Sequence, residues 1–356
     1  MATLTLVDVM QRAGASPVDR KVVDEVIASA PLWQAMPAKV IKGTDYSYMV
    51  RTGIPTIGAR PLNAGATMLK SKYETRNAQA FAYDGVVSVD AMIAKAHPEG
   101  KDALMADEMR ETLRGALVGF EQGLIYGKAK DEYGMYGLVN LIADYMTISA
   151  DPSANTEETR KQGGASVWML NLSEPYMHIV YGNDKTLGFT PEVTGEMVRP
   201  TGKLNKDGSE EMGLMRAHSR HCEAWMGYAM KSAFGAARLI NESAANPLTD
   251  ALLAKLLRCF PTGHKPTHLV MNQATLARWE ETRTKSLTFV KGGKNANGAV
   301  LADEPDGFRG LKLIVTDNLL EDETAENIAK LKDAKVIDAE DFFNKGATLK
   351  NIDKVK

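Results

Sequence analysis

Only two cysteines, Cys222 and Cys259, occur in 356 residues. At most one disulfide can form, which excludes the oxidised, disulfide-stapled scaffold of small secreted domains. No run of 18 consecutive apolar residues is present, so there is no candidate membrane-spanning helix and no membrane partner is expected. The opening MATLTLVDVMQRAGASP lacks a basic segment leading into an apolar one, so no secretory signal is expected and synthesis in the cytosol is. An excess of one charge is missing too. Against 43 Lys plus Arg stand 45 Asp plus Glu, and a net charge of -2 argues against a chain whose main task is to neutralise nucleic-acid phosphates. Aromatic residues are only 7%, while methionine reaches 18, and Met suits contacts that must adapt. What remains is ordinary: 44% hydrophobic and 25% charged residues with 30 Gly and 14 Pro describe a folding globular chain. At roughly 100–200 residues per domain, it should form about two domains.

Hydrophobic spacing organises the chain. Residues 18–27 place Val22, Val23, Val26 and Ile27 at helical intervals before Pro31, which predicts a short amphipathic helix in an N-terminal arm. From Thr44 to about Ala96 the texture is that of strands, with Tyr46, Tyr48 and Val50 alternating and Phe81, Tyr83, Val86, Val87 and Val89 forming a second run. Between them, Arg51 to Asn77 holds two Pro, three Gly and five Lys or Arg residues. Too few large apolar residues are present there for a core, and a long loop of this kind is expected to be a functional hairpin. The clearest helix runs from Asp102 to about Tyr126, bounded by Gly100 and Gly127, with Met105, Met109, Leu113, Ala116, Leu117, Phe120 and Leu124 on one stripe. It would span roughly 37 Å, the dimension of a spine rather than a core filler. Asp102, Asp107 and Glu108 suit the positive end of its dipole. Further on, strands are expected over 166–170, 177–181, 215–225, 268–271 and 312–316, with helices over 248–260, capped by Thr249, and over 273–282. Helices and strands mixed without regular alternation indicate an α+β fold. The last 35 residues are charged, with an apolar patch at Val336, Ile337, Phe342 and Phe343.

Chemistry is hard to assemble from this sequence. The best constellation joins His218, His221 and Cys222 with Cys259, His264 and His268, ligand types that zinc favours. Strand alternation would send His221 and Cys222 to opposite faces, however, and no paired C-x-x-C occurs. Both cysteines are expected to be buried structural thiols, and His264 and His268 flank a Lys265-Pro266 turn. The G-x-S-x-G elbow, the G-x-x-x-x-G-K-[ST] loop and a G-x-G-x-x-G turn after a strand are all missing. Gly292-Gly293, flanked by Lys291 and Lys294, lacks a helix start and is expected to be a hairpin tip. Glu210-Glu211, Glu280-Glu281 and Glu321-Asp322 are expected on solvated faces. The cations between Arg51 and Arg76 have no run of aromatic stacking partners for single-stranded nucleic acid, and an acidic surface on a neighbouring protein suits them better. No catalytic, cofactor-binding or metal-binding residue is therefore assigned.

The order of features carries more than any motif. An arm, a long two-stranded excursion, a spine helix ending in GFEQGLIYGKAKDEYGMYGLVNLI and a mixed α+β remainder resemble the major capsid protein of tailed bacteriophages, the Hong Kong ninety-seven type fold. Ala165 to Leu170, followed by Ile179-Val180-Tyr181 and Gly188-Phe189, resembles that family's strand pair and turn. Pro266 to Asn272 resembles its strand before a helix, and Phe308 to Asn318 its returning strand, although Lys312 stands where proline is common. The resemblance covers about residues 1–320; the charged tail after Glu321 matches no pattern. It implies an N-terminal arm over 1–43, an extended loop with flanking strands over 44–96, and a peripheral domain with the spine helix over 97–136. An axial domain over 137–304 and a returning strand with charged tail over 305–356 complete the expected division.

By the same resemblance the protein is a virion shell subunit without enzymatic activity, assembled in the host bacterial cytoplasm into hexamers and pentamers of an icosahedral shell. The shell encloses double-stranded DNA without specific binding. The short arm implies a separate scaffolding protein, and portal and decoration proteins are implied partners. Arg51, Arg60, Lys70, Lys72 and Arg76 of the extended loop become candidate inter-subunit contacts. Some relatives join subunits through a Lys to Asn bond; Lys70 and Lys72 lie in the appropriate loop, but neither the Asn nor an acidic catalyst can be placed, so that chemistry is not carried over. Rival readings are an encapsulin-like compartment of the same fold, a zinc enzyme using the six His and Cys residues, and a nucleic-acid-binding module.

Overall fold

The computed structural model describes residues 30–60, 62–63, 65–129, 132–153, 163–204, 210–286 and 307–333. The expected arm helix over 18–27, the glycine tip at 292–293, the apolar patch over 336–343 and most of the polar loop 151–164 lie outside them. The described chain opens with α1 (Pro31–Ala35) and β1 (Ala38–Val40), then β2 (Asp45–Gly53), β3 (Lys72–Gln79) and β4 (Phe81–Asp90). Two helices follow, α2 (Ala91–Ala96) and the spine α3 (Lys101–Tyr126), then α4 (Leu138–Leu141), β5 (Thr147–Ser149), β6 (Ala165–Leu170), β7 (Met177–Tyr181) and β8 (Gly188–Phe189). Two long strands, β9 (Val193–Leu204) and β10 (Glu210–Met230), precede β11 (Ala236–Glu242), α5 (Asp250–Leu257) and β12 (His268–Met271). The described chain closes with α6 (Gln273–Ser286), β13 (Gly307–Phe308), β14 (Leu311–Val315) and α7 (Ala325–Asp333).

Among the described residues these strands make two six-stranded sheets and one isolated pair. The first sheet runs β1-β7-β10-β4, with β8 and β9 also paired to β10; the second runs β13-β14-β12-β6-β11-β5; the pair is β2-β3. Both six-stranded sheets are mixed, since β1 lies parallel to β7, β5 to β11 and β12 to β14. An α+β fold results. Sheet membership cuts across the expected segment 137–304. Its strands between 177 and 230 join β4 in the first sheet through β10, whereas β5, β6, β11 and β12 form the second sheet with β13 and β14.

Strand β6 shows why the second sheet lies at the centre. All six of its residues are buried, the mark of a strand covered on both faces. Val167 and Met169 face a core containing Leu239, Leu253, Leu256 and Trp279. Trp168 and Leu170 face the other way, toward Phe120, Leu124, Ile125 and Tyr126 of α3. The spine helix joins two cores. Its first turns put Leu104 and Met105 against Val87 and Val89 of β4, while its last two turns are buried from Phe120 to Tyr126. Met109, Leu113 and Leu117, between these ends, are only half buried. Gly100 and Gly127 flank it as expected, both with positive φ (86° and 54°). At Gly127 a Cβ atom would lie 1.8 Å from the Gly137 nitrogen, so glycine is required there twice over.

The structure departs from two local expectations. β10 runs to 21 residues rather than 215–225, and its partner β9 was not foreseen, because Gly195, Pro200 and Gly202 interrupt its sequence. Helix α5 ends at Leu257, so Cys259 falls beyond it and is partly exposed rather than buried. Cys222 is buried as expected.

Candidate assembly surfaces

Strands β2 and β3 leave the body of the protein as a hairpin. Asp45 pairs with Gln79 at its base, and pairing continues outward to Arg51 with Tyr73. Two tyrosines seat the base: Tyr46 and Tyr48 pack over Ile41, Ala78, Val180 and Ala229, and the Tyr48 hydroxyl donates to the Met230 carbonyl at 3.0 Å. The Tyr46 ring meets His178 edge-on at 5.4 Å and carries the Lys39 ammonium 4.9 Å from its centroid. Burial holds the Tyr48 hydroxyl above its usual pKa. Where the hairpin leaves the first sheet the backbones nearly touch, since a Cβ on Gly227 would lie 2.1 Å from the Gln79 carbonyl oxygen.

Beyond this base nothing in the described chain covers the hairpin. Among the described residues of 54–71 no strand or helix forms. Ile57, Leu62 and Met68 are 89%, 92% and 99% exposed, and Met49, Ile54 and Tyr73 are exposed as well. An isolated two-stranded ribbon is marginal in water, and apolar side chains concentrated on one projecting element mark an interaction surface. The cations expected to make contacts are mostly exposed. The Arg51 guanidinium donates to the Tyr73 hydroxyl at 3.0 Å, and Arg76 pairs with Glu74 at 3.1 Å; Arg60, Lys70 and Lys72 are exposed. The apolar residues of this loop escaped sequence reading because they are scattered, singly or as the pair Met68-Leu69, among Gly, Pro and polar residues.

A second ribbon projects from the first sheet. β10 pairs with β4 only from Ala217 to Met226, whereas its outer residues pair with β9 alone. There Val198 stands opposite Leu214, and both are exposed, as is Met212.

The six His and Cys residues do not converge. His218 meets Glu192 and Thr194, both at 2.9 Å, and His221 meets Asp84 at 3.2 Å. His264 shares a hydrogen bond with the Tyr176 hydroxyl at 2.8 Å, and His268 one with its neighbour Thr267. Burial lowers the His268 pKa and raises that of both thiols, the reverse of what activates a cysteine. Among the described residues no group of three or more His, Cys, Asp or Glu is arranged to hold a metal ion. No described helix is long and apolar enough to cross a membrane.

Three buried carboxylates act as internal ties. Glu121 of α3 accepts from the Trp33 backbone N–H at 2.9 Å, from the Asn318 amide at 2.9 Å and from the Thr316 hydroxyl. Desolvation nevertheless raises its pKa. Glu323 accepts from the Tyr126 hydroxyl at 3.0 Å, from Ser166 and from Arg238. Glu242 receives both arms of Arg278, at 2.7 and 2.6 Å, and the Thr275 hydroxyl at 2.7 Å. The first two fasten the end of the spine helix to the chain segment after β14.

Comparison with known proteins brings these surfaces into focus. A sequence model of the family described as major capsid protein GP7 matches residues 20–325. Among solved structures, that of bacteriophage Epsilon15 aligns with a TM-score of 0.62 at 13% identity, covering 91% of this chain and 98% of that one. The bacteriophage JBD30 capsid aligns at 0.44 and 14% identity, covering 85% and 99%. The SrpI encapsulin of Synechococcus elongatus PCC 7942 aligns at 0.39 and 13%, covering 67% and 96%. No curated protein matches significantly.

Proposed function

The chain belongs to the family of major capsid protein GP7, and from that premise we propose how this subunit builds its shell. The family membership is the observation that carries a shell-forming, structural role in a phage virion; the likeness to the Epsilon15 structure supports the fold. In this reading the hairpin β2-β3 reaches over a neighbouring subunit, and Ile54, Ile57, Leu62 and Met68 leave water against it. Arg51, Arg60, Lys70, Lys72 and Arg76 line the same contact at its polar margin. The expected parts are kept with one adjustment drawn from sheet membership. The peripheral part comprises α3 and the first sheet, including β7 to β10, and the axial part is built on the second sheet. The arm 1–43 lends β1 to the first sheet, and the segment 305–356 lends β13 and β14 to the second.

Copies close into hexamers and pentamers through heterologous contacts, the type that forms rings. The subunit assembles in host cytoplasm with a separate scaffolding protein, meets portal and decoration proteins, and encloses double-stranded DNA without binding it specifically. Membership in a capsid-protein family supports a structural role without catalysis. Negative-stain microscopy of the purified chain, with and without its scaffold, tests the proposal. Closed shells are expected; monomeric particles under every condition would overturn it.

A further inference from the structure

Two glycines of the subunit body lie where the hairpin β2-β3 leaves it. Gly227 of β10 stands opposite Val180 of β7 in the ladder and shares a face with Ala229, two residues on. Val180 and Ala229 belong to the floor on which Tyr46 and Tyr48 pack. Gly182 follows directly after β7. The returning chain crosses so close that a Cβ on Gly227 would lie 2.1 Å from the Gln79 carbonyl oxygen and 3.3 Å from the Ala80 Cα. A Cβ on Gly182 would lie 2.9 Å from the Gly43 carbonyl oxygen and 3.1 Å from the Ala80 Cβ. The outgoing and the returning chain thus both rest on backbone that carries no side chain.

Hydrogen bonds hold the same crossing. The Asn183 N–H donates to the Gly43 carbonyl at 2.9 Å and the Asp184 N–H to that of Ile41 at 3.0 Å, while the Ala80 N–H closes the root on the Thr44 carbonyl at 2.7 Å. Tyr48, whose hydroxyl donates to the Met230 carbonyl, sits farther out than the Asp45–Gln79 pair. Three residues of strand separate it from Asp45, so the root is held at two places about 10 Å apart. Two points of attachment define a direction.

We propose that Gly182 and Gly227 are positioning residues that set the direction of the hairpin in the free subunit, before any neighbour is met. The use of that direction rests on the reading of the hairpin as an inter-subunit contact; the direction itself does not. An ordinary nonbonded contact lies at about 3.5 Å, so a Cβ at Gly227 must push Gln79 away by at least about 1 Å. Tilted by that amount over a base of about 10 Å, a strand that reaches about 30 Å moves by about 3 Å at its end.

Pulsed electron resonance on full-length chain carrying Cys222→Ala and Cys259→Ala provides the test. Nitroxide labels are placed at Ile54→Cys, at the end of β2, and at Val86→Cys on β4, positions that are both exposed. The free subunit should give one narrow distance. Gly227→Ala should displace it by about 3 Å and Gly182→Ala by less, each with an unchanged circular dichroism spectrum. Gly195→Ala, whose Cβ would meet nothing within 4 Å, should leave the distance where it was. A broad spread of distances in the parent, or an unchanged distance in folded Gly227→Ala and Gly182→Ala, would overturn the proposal. If Gly227→Ala alone fails to fold, Gly182→Ala decides. Loss of folding in both would also overturn it, by making the two glycines requirements of the fold rather than of the hairpin's direction. Microscopy of the same proteins separates this inference from the reading it rests on: a parent that forms no shells contradicts the inter-subunit contact, while the distances still decide whether the glycines aim the hairpin.

Discussion

His178 is a fully buried histidine beneath the base of the projecting hairpin. Burial lowers its pKa first, and the ammonium groups of Lys231 and Lys39 lower it further, with Glu174 opposing them. Its folded pKa thus lies below the unfolded value of about 6.5. The stability it supports is present above pH 6.5 and is lost as pH falls from there toward the folded pKa, because the unfolded chain then binds the proton more readily. Acidification from pH 7 to 5 should therefore lower the melting temperature and speed exchange of the β2-β3 amides. His178→Phe should flatten that part of the profile; identical pH dependence in variant and parent would remove His178 from the account. Glu121 sits differently, as a carboxylate held by three donors from two distant chain segments. In Glu121→Gln an NH2 group must face either the Trp33 N–H or the side chains of Thr316 and Asn318. Leaving one such buried donor unsatisfied costs about 1–3 kcal/mol, and urea unfolding at pH 7 should show a loss of that size.

Among the elements, the hairpin invites a comparison of forces. Full burial of a large aliphatic side chain contributes about 1.5–3 kcal/mol, whereas an exposed ion pair contributes about 0–1. Three of the tip's apolar residues thus outweigh three of its cations. Ile57→Ser, Leu62→Ser and Met68→Ser together should leave the melting temperature of the free subunit nearly unchanged, since all three are exposed there, yet abolish shells by electron microscopy. Arg60→Ala, Lys70→Ala and Lys72→Ala should slow assembly and leave shells forming. The reverse ranking would make the cations the anchors. The spine's end is tested by Gly127→Ala, which combines a positive φ with a Cβ 1.8 Å from backbone. Misfolding or a loss of more than about 4 kcal/mol is expected.

These elements differ in how much their sequences disclosed. β7 and β12 fall where their apolar runs predict, because burial on both faces demands such runs. The spine was legible because both of its bounding glycines occupy backbone conformations that favour glycine. β9 was illegible, since Gly195, Pro200 and Gly202 read as breakers in a ribbon whose outer part has few neighbours to satisfy. The tie at Glu121 was hidden for another reason: its partners lie 88 to 197 residues away, and a lone glutamate in an amphipathic helix normally faces water. The apolar residues of the hairpin loop, Ile57, Leu62 and Met68, were equally hidden, being exposed where composition suggests only a polar loop.

For the whole molecule, the near-balance of charge bears on what drives many copies together. Net charge of -2 per chain gives little long-range repulsion among like subunits, so assembly need not wait for salt to screen it. If apolar tips and ribbons supply the association energy, the concentration at which shells appear should change little between 0.1 and 1 M salt, although the Debye length shrinks from about 10 to 3 Å. Cooling should matter more, because hydrophobic stabilisation weakens in the cold. Light scattering across salt and temperature separates the two. A threshold that climbs steeply with salt would mean that charged contacts hold the wall, and a threshold that falls on cooling would remove apolar burial from the leading role. The same chain titrated with double-stranded DNA should bind weakly, with a shallow dependence of affinity on salt; tight, steeply salt-dependent binding would contradict the proposal that the wall encloses DNA without gripping it.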